Sequence, residues 1–216
     1  MKTYWQIITT GIPTVFRQSM GSLSAILLNV SAVAYGDAAV AAVTIANKAY
    51  VLVRNIVLGY GQGFQPVAGY NFGAHRRKRT WKAFCFTGWV GTGICVVSGV
   101  LIAAFARPIM MWFSRDPEVI AIGMNILYFS CAVMPFMAFS TYVNQMYQCL
   151  GFKVPATFLA SCRQGIFFVP SILILPVFFG LTGVEVAQPV ADLLTFVVSV
   201  PFLILFYKKE IKPFSE

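Results

Sequence analysis

Asp192 is a carboxylate set inside an apolar stretch, with Gln188 four residues before it and Thr195 three after. That spacing puts the three on one face of a helix. A carboxylate in low dielectric is the type of group whose protonation or ion occupancy can change, which is what ion-coupled chemistry needs. An unpaired anion there is costly, so Asp192 is expected either to pair with Arg163, Arg54 or Lys48 or to be protonated part of the time. It is the acidic residue placed well inside a predicted span, about 12 Å from that helix's outer end at roughly 1.5 Å per residue. Other chemistry has no residues to stand on. There is no Ser-His-Asp set and no metal-ligand cluster, and the glycine string Gly59, Gly61, Gly63, Gly69 and Gly73 lacks the Lys-Ser/Thr ending of a phosphate-binding loop. His75 adjoins a basic loop and reads as solvated. Cys85, Cys95, Cys131, Cys149 and Cys162 are odd in number and show no Cys-x-x-Cys spacing, so they read as small buried hydrophobes. An enzyme, a metal site and a bound cofactor are therefore not expected.

Polar residues elsewhere recur at helical spacings within apolar segments. Thr14, Gln18, Ser22 and Asn29 share a face of the first, while Asn47 and Lys48, Arg54 and Asn55, then Gly61 and Gln62 repeat every seven residues on the second. Thr141, Gln145 and Gln148 follow on the fourth, Thr157, Ser161, Gln164 and Ser171 on the fifth, and Gln188, Asp192, Thr195 and Ser199 on the sixth. Such stripes must face protein or a watery cavity, because lipid cannot satisfy them. They are either hydrogen bonds between helices, worth about 0.6 kcal/mol each on average, or the wall of a shared polar interior. On the second reading the lining candidates are Gln18, Ser22, Asn29, Arg54, Asn55, Gln62, Gln145, Tyr147, Gln164 and Gln188. Tyr128, Phe136, Met137, Phe139 and Phe168 could add apolar contacts, aromatic faces attracting cations by about 0.5 to 2 kcal/mol.

The elements that would position these residues are membrane spans. The chain is 58% hydrophobic and 11% charged, against roughly 25% charged in a soluble domain. Spanning the bilayer takes about 20 apolar residues, and six stretches qualify, near 12–34, 43–74, 83–106, 120–150, 156–179 and 184–207. An all-α integral membrane protein follows. The second stretch is too long for a perpendicular crossing and must tilt, bend or project; Gly59, Gly61, Gly63, Pro66 and Gly69 permit bending. Sixteen Lys and Arg against seven Asp and Glu give a net charge of +9. These cations cluster between spans, which points to anionic lipid headgroups and not to nucleic acid. Arg76, Arg77, Lys78, Arg79 and Lys82 form a basic loop over 75–82; Lys153, Lys208, Lys209 and Lys212 fall on the same side, while Asp37, Asp116, Glu118 and Glu185 fall in the opposite connections. By the positive-inside rule both termini are cytoplasmic.

One stretch carries a resemblance. Gly61–Ala74, GQGFQPVAGYNFGA, followed by the basic loop, resembles the motif of the multidrug and toxic compound extrusion family of efflux transporters. Gly11-Ile12-Pro13 with Arg17-Gln18-Ser19, Tyr35-Gly36-Asp37, Arg115 to Val119, Arg163-Gln164 and Pro189 to Asp192 resemble the same family in the same order. The resemblance implies one C-terminal six-helix lobe of a twelve-helix, inverted-V transporter in the plasma (inner) membrane, with the N-terminal lobe absent from this chain. It implies a secondary antiporter exporting xenobiotic, cationic organic compounds in exchange for H+ or Na+, with no cofactor besides the coupling ion. One branch of the family bears a cation-binding carboxylate on the first helix of this lobe, whereas Arg17 to Asn29 contains no Asp or Glu. The alternatives are a lipid-linked precursor flippase of the wider superfamily, for which Lys48, Arg54 and Arg163 would hold a pyrophosphate, and a non-transporting membrane fragment.

Overall fold

A computed structural model describes the backbone of residues 2–214 and the side chains of residue 15 and residues 18–213. The side chains of Gly11 to Thr14 and of Arg17 lie outside the described residues. Helix α1 (Lys2–Val33) is joined to α2 (Asp37–Gly73), α3 (Arg77–Ala104), a short α4 (Ala106–Phe113) and α5 (Pro117–Cys149). Helix α6 (Lys153–Ser161) runs through one π-helical turn (Cys162–Ile166) into α7 (Phe168–Phe179), and α8 (Leu181–Phe206) closes the order before a π-helical turn (Tyr207–Ile211). Among the described residues, five helical units are long and apolar enough to cross a membrane: α2, α3, α5, α6 with α7, and α8 with the turn after it. The described part of α1, Gln18–Val33, is a shorter apolar segment.

The turns between helices are tight, and each has a physical cause. Gly36, Gly151 and Gly180 adopt positive φ at three of them, a conformation that glycine takes without steric cost. Asp116 caps α5, its Oδ1 accepting from the Glu118 N–H at 2.9 Å, with Pro117 at the first helical position where a missing N–H costs nothing. Two expectations need correction here. The basic segment is not a loop over 75–82, since α3 begins at Arg77 and leaves residues 74–76 as the connection; five cations within seven residues do not oppose a helix whose next turns are apolar. The predicted fifth span is not a uniform α-helix, because the π turn interrupts it.

Helix α5 is the axis of the bundle. It packs against α2, α3 and α8, and every residue over 140–147 is buried. Around it Val57, Phe64, Met134, Met137, Tyr142, Val143 and Met146 form the largest core cluster. Lipid is as apolar as these side chains, so their packing stabilises chiefly through dense van der Waals contact. Close approach is built in at two glycines. A Cβ on Gly91 would fall 2.1 Å from the Tyr142 hydroxyl oxygen, and one on Gly61 would fall 1.9 Å from Gln145 Oε1. The outer surface is apolar, with Trp89, Val177 and Phe178 strongly exposed, as a lipid-facing wall requires.

Candidate functional site

Asp192 is 2% exposed and sits on the inward face of α8. Arg163 donates from Nε to its Oδ1 at 2.7 Å, and the Tyr50 hydroxyl donates to its Oδ2 at 2.5 Å. Arg163 closes the triangle by donating from Nη2 to the Tyr50 oxygen at 2.6 Å. Gln188, one turn before Asp192, reaches Oδ1 from Nε2 at 3.5 Å. Three elements meet in this network: α2 through Tyr50, the π turn through Arg163, and α8 through Asp192. Of the two outcomes expected for Asp192, the geometry is that of pairing, and Arg163 is the partner among the three cations considered.

Arg163 reaches the centre from within the π turn. A π turn carries one more residue than an α turn and changes which side chains face inward beyond it. The bond from Phe167 N–H to the Cys162 carbonyl, 2.9 Å, closes that wider turn. From α1, the Ser24 hydroxyl donates to the Gln164 carbonyl at 2.7 Å. Ser24 thereby ties α1 to the irregular segment.

Beside the network lies a cavity of about 250 Å³ bordered by α1, α2, the π turn, α7 and α8. Of the lining candidates, Gln18, Ser22, Arg54, Gln164 and Gln188 border it, together with Asn47, Ser24, Tyr50 and Phe168. A smaller cavity of about 40 Å³ shares Gln18, Arg54 and Gln164 and continues toward Arg163, Thr141, Asn144 and Thr195. Among the described residues, neither wall contains an Asp or Glu side chain.

The other expected lining residues lie elsewhere. Asn29, Asn55 and Gln62 are exposed on the outside of the bundle. On α2 the reason is geometric: consecutive residues point about 100° apart at 3.6 per turn, so of each recurring pair Asn47, Arg54 and Gly61 turn inward while Lys48, Asn55 and Gln62 turn out. Gln145 is 1% exposed, packed over Gly61, and donates to the Leu58 carbonyl at 3.3 Å. Tyr147 is buried among Phe152, Phe202 and Phe206 and donates to the Phe202 carbonyl at 2.7 Å. Met137 is wholly buried in the core, Tyr128 and Phe136 are exposed, and Phe139 packs on Phe196, so Phe168 is the one of the proposed apolar contacts that borders the cavity. Tyr50 was not singled out from the sequence; its place three residues after Asn47 and four before Arg54 is the signal that marks it.

Gly61, one of the proposed bending residues, serves packing against Gln145 and Tyr142, whereas Gly59 and Gly63 have open space beside them. Helix α2 stays helical through Gly69 and Pro66 to Gly73. Glu185, assigned from the sequence to a connection, belongs to α8 and is 5% exposed.

The chain matches the family model described as MatE over residues 13–174. It is 27% identical over 181 residues to the multidrug export protein MepA of Staphylococcus haemolyticus, an alignment covering 83% of this chain and 39% of that protein. MepA of Staphylococcus aureus strain N315 is 26% identical over the same shares. Among solved structures, the Vibrio cholerae MATE transporter VcmN in its bent form superimposes with a TM-score of 0.83 at 18% identity, over 95% of this chain and 46% of that one. An outward-facing multidrug resistance MATE family transporter of the MOP superfamily gives 0.88 at 19%, over 95% and 47%. The chain thus spans about two fifths of the length of the curated relatives it matches, and its fold is that of one lobe of such a transporter.

Proposed function

The chain belongs to the MatE family, and from that premise we propose that it is the C-terminal lobe of a secondary antiporter that exports xenobiotic organic compounds, cationic ones among them, in exchange for H+ or Na+. The observation that carries this reading is the polar cavity of about 250 Å³ placed directly against the Tyr50–Arg163–Asp192 network. A polar cavity whose wall is fixed by a buried ionic network presents cargo with a preformed set of hydrogen-bonding groups inside the span region. The amide and hydroxyl side chains on its wall offer hydrogen bonds to varied cargo. Alternating access then needs this lobe to move against a second, N-terminal one. The reading places the assembly in the plasma (inner) membrane with both termini in the cytoplasm, because the cations gather at one end of the bundle.

The flippase reading is weaker on a specific count. Lys48 is exposed and Arg163 is held by Asp192, so of the three cations that would grip a pyrophosphate Arg54 alone remains on the cavity wall.

Ethidium accumulation is the test, in cells deprived of their own exporters and expressing the chain together with the N-terminal half that completes it. Accumulation is expected to fall, and a protonophore or sodium removal is expected to restore it according to the coupling ion. Unchanged accumulation would overturn the transport reading. Asp192→Asn leaving both efflux and ion dependence intact would remove Asp192 from coupling.

A further inference from the structure

One buried carboxylate takes no part in the network above. Glu185 is 5% exposed, and neither the hydrogen bonds nor the ion pairs among the described residues include it. It lies in the second turn of α8, at the end of the bundle opposite Arg77 and Glu210. There it borders a partly open chamber of about 30 Å³ lined by α1, α2, α5 and α8. The wall is apolar at Leu28, Val43 and Ile126 and polar at Asn47, Ser130 and Gln188. A space of that size admits about one water molecule.

The charged and titratable surroundings are sparse. From α1 the chamber receives Leu28, and from α5 Ile126 and Ser130. From α2 the titratable group is the Tyr50 hydroxyl, already committed to Asp192. Helix α7, which packs on α8, contains no charged residue. On α8 itself Asp192 stands seven residues further on, about 10 Å along the axis, and is paired with Arg163. Among the described residues no guanidinium or ammonium lines the chamber, and a buried carboxylate without a partner is costly in its charged form. Hard metal cations are held by about six or more oxygens, which a largely apolar wall does not supply. A proton needs only the carboxylate.

We propose that Glu185 is the proton-carrying group of this lobe, and that Asp192, held by Arg163 and Tyr50, is not. The carboxylate accepts one proton from water on one side of the membrane, becomes a neutral carboxylic acid, and returns that proton to water on the other; no bond to cargo forms or breaks. The chamber shares Asn47, Tyr50 and Gln188 with the large cavity. Cargo resting on Asn47 or Gln188 touches side chains that also border Glu185, which links occupancy of one site to the other. The use of the proton in exchange rests on the transport reading; the proton site rests on the geometry alone.

Infrared difference spectroscopy of the purified full chain in lipid bilayers, titrated with pH, separates the two. A protonated-carboxyl carbonyl band that titrates in the parent, is lost in Glu185→Gln and persists in Asp192→Asn is the expected result. Persistence of the band in Glu185→Gln, its loss in Asp192→Asn alone, or the absence of any titrating carboxyl band in the parent would overturn the proposal. Should Glu185→Gln fail to fold, Glu185→Asp decides: a displaced band or midpoint supports the assignment, and an unchanged one refutes it. Loss of ethidium efflux in the assembled parent, with the band intact, would refute transport and leave the proton site standing.

Discussion

Arg163 and Asp192 are each costly where they sit, and each makes the other tolerable. Removing one partner of such a buried pair leaves a lone charge, at a cost of about 3–5 kcal/mol, whereas replacing both by apolar side chains of similar volume is often neutral. Arg163→Met and Asp192→Leu are therefore each expected to lower the melting temperature of the detergent-solubilised chain sharply. The double variant should recover most of the loss. A double variant as unstable as the sum of the singles would mean that the pair is not what holds the segment. Tyr50→Phe removes hydrogen bonds to charged groups, worth about 1.5–3 kcal/mol each, and should fall between the parent and the single-charge variants on the same measurement. That Asp192 needs a cation or a proton was legible in the sequence, because an anion among apolar residues is costly alone; which of Arg163, Arg54 and Lys48 would pair with it was not, since that depends on how the helices pack. Tyr50 was less legible: a phenol at helical spacing carries no charge to announce a partner. Glu185 was misread as part of a connection because it stands so close to the start of its span, and burial within α8 depends on how the chain folds back at Gly180, where φ is +58°.

Helix α2 explains which repeating residues matter and which do not. Its seven-residue recurrence was visible, but a repeat of adjacent pairs contains two faces about 100° apart, and neighbouring helices decide which one is buried. Gly61 and Gly91 mark where that decision was made. A Cβ at Gly91 would meet the rigid ring of Tyr142 at 2.1 to 2.3 Å, whereas Gly59 and Gly63 have nothing within 4 Å. Overpacking a rigid site costs about 1–3 kcal/mol or more, and glycine gives up about 1 kcal/mol of helix propensity to alanine. Gly91→Ala is accordingly expected to destabilise the chain, while Gly59→Ala and Gly63→Ala are expected to be neutral or stabilising in thermal unfolding. A Gly91→Ala variant with parental stability would show that α3 and α5 are free to separate at this point. The π turn at Cys162–Ile166 left no comparable trace in the sequence. Cys-Arg-Gln-Gly-Ile satisfies an α-helix as readily as a π turn, and the choice is settled by tertiary partners such as Ser24 and Asp192.

Across the whole molecule, charge is sorted to one end. Arg77 pairs with Glu210 at 3.7 Å, which brings the start of α3 beside the end of α8 and gathers Arg76, Lys78, Arg79 and Lys82 near Lys208, Lys209 and Lys212. At the opposite end Asp37, Asp116 and Glu118 accompany Arg107 and Arg115, and the short α4 holds Trp112 90% exposed, the position in which an indole settles at a membrane interface. Cations that gather this way favour an anionic leaflet, and the proposed orientation, with this end in the cytoplasm, rests on that preference. A membrane-impermeant maleimide can read it directly. With Cys85, Cys95, Cys131, Cys149 and Cys162 replaced, Arg79→Cys should react only after cells are opened, and Asp116→Cys should react in intact cells. Labelling in the reverse order would invert the lobe in the membrane. It would also move Glu185, which shares its end of the bundle with Asp116, to the cytoplasmic side, so the side from which it meets water depends on the same measurement.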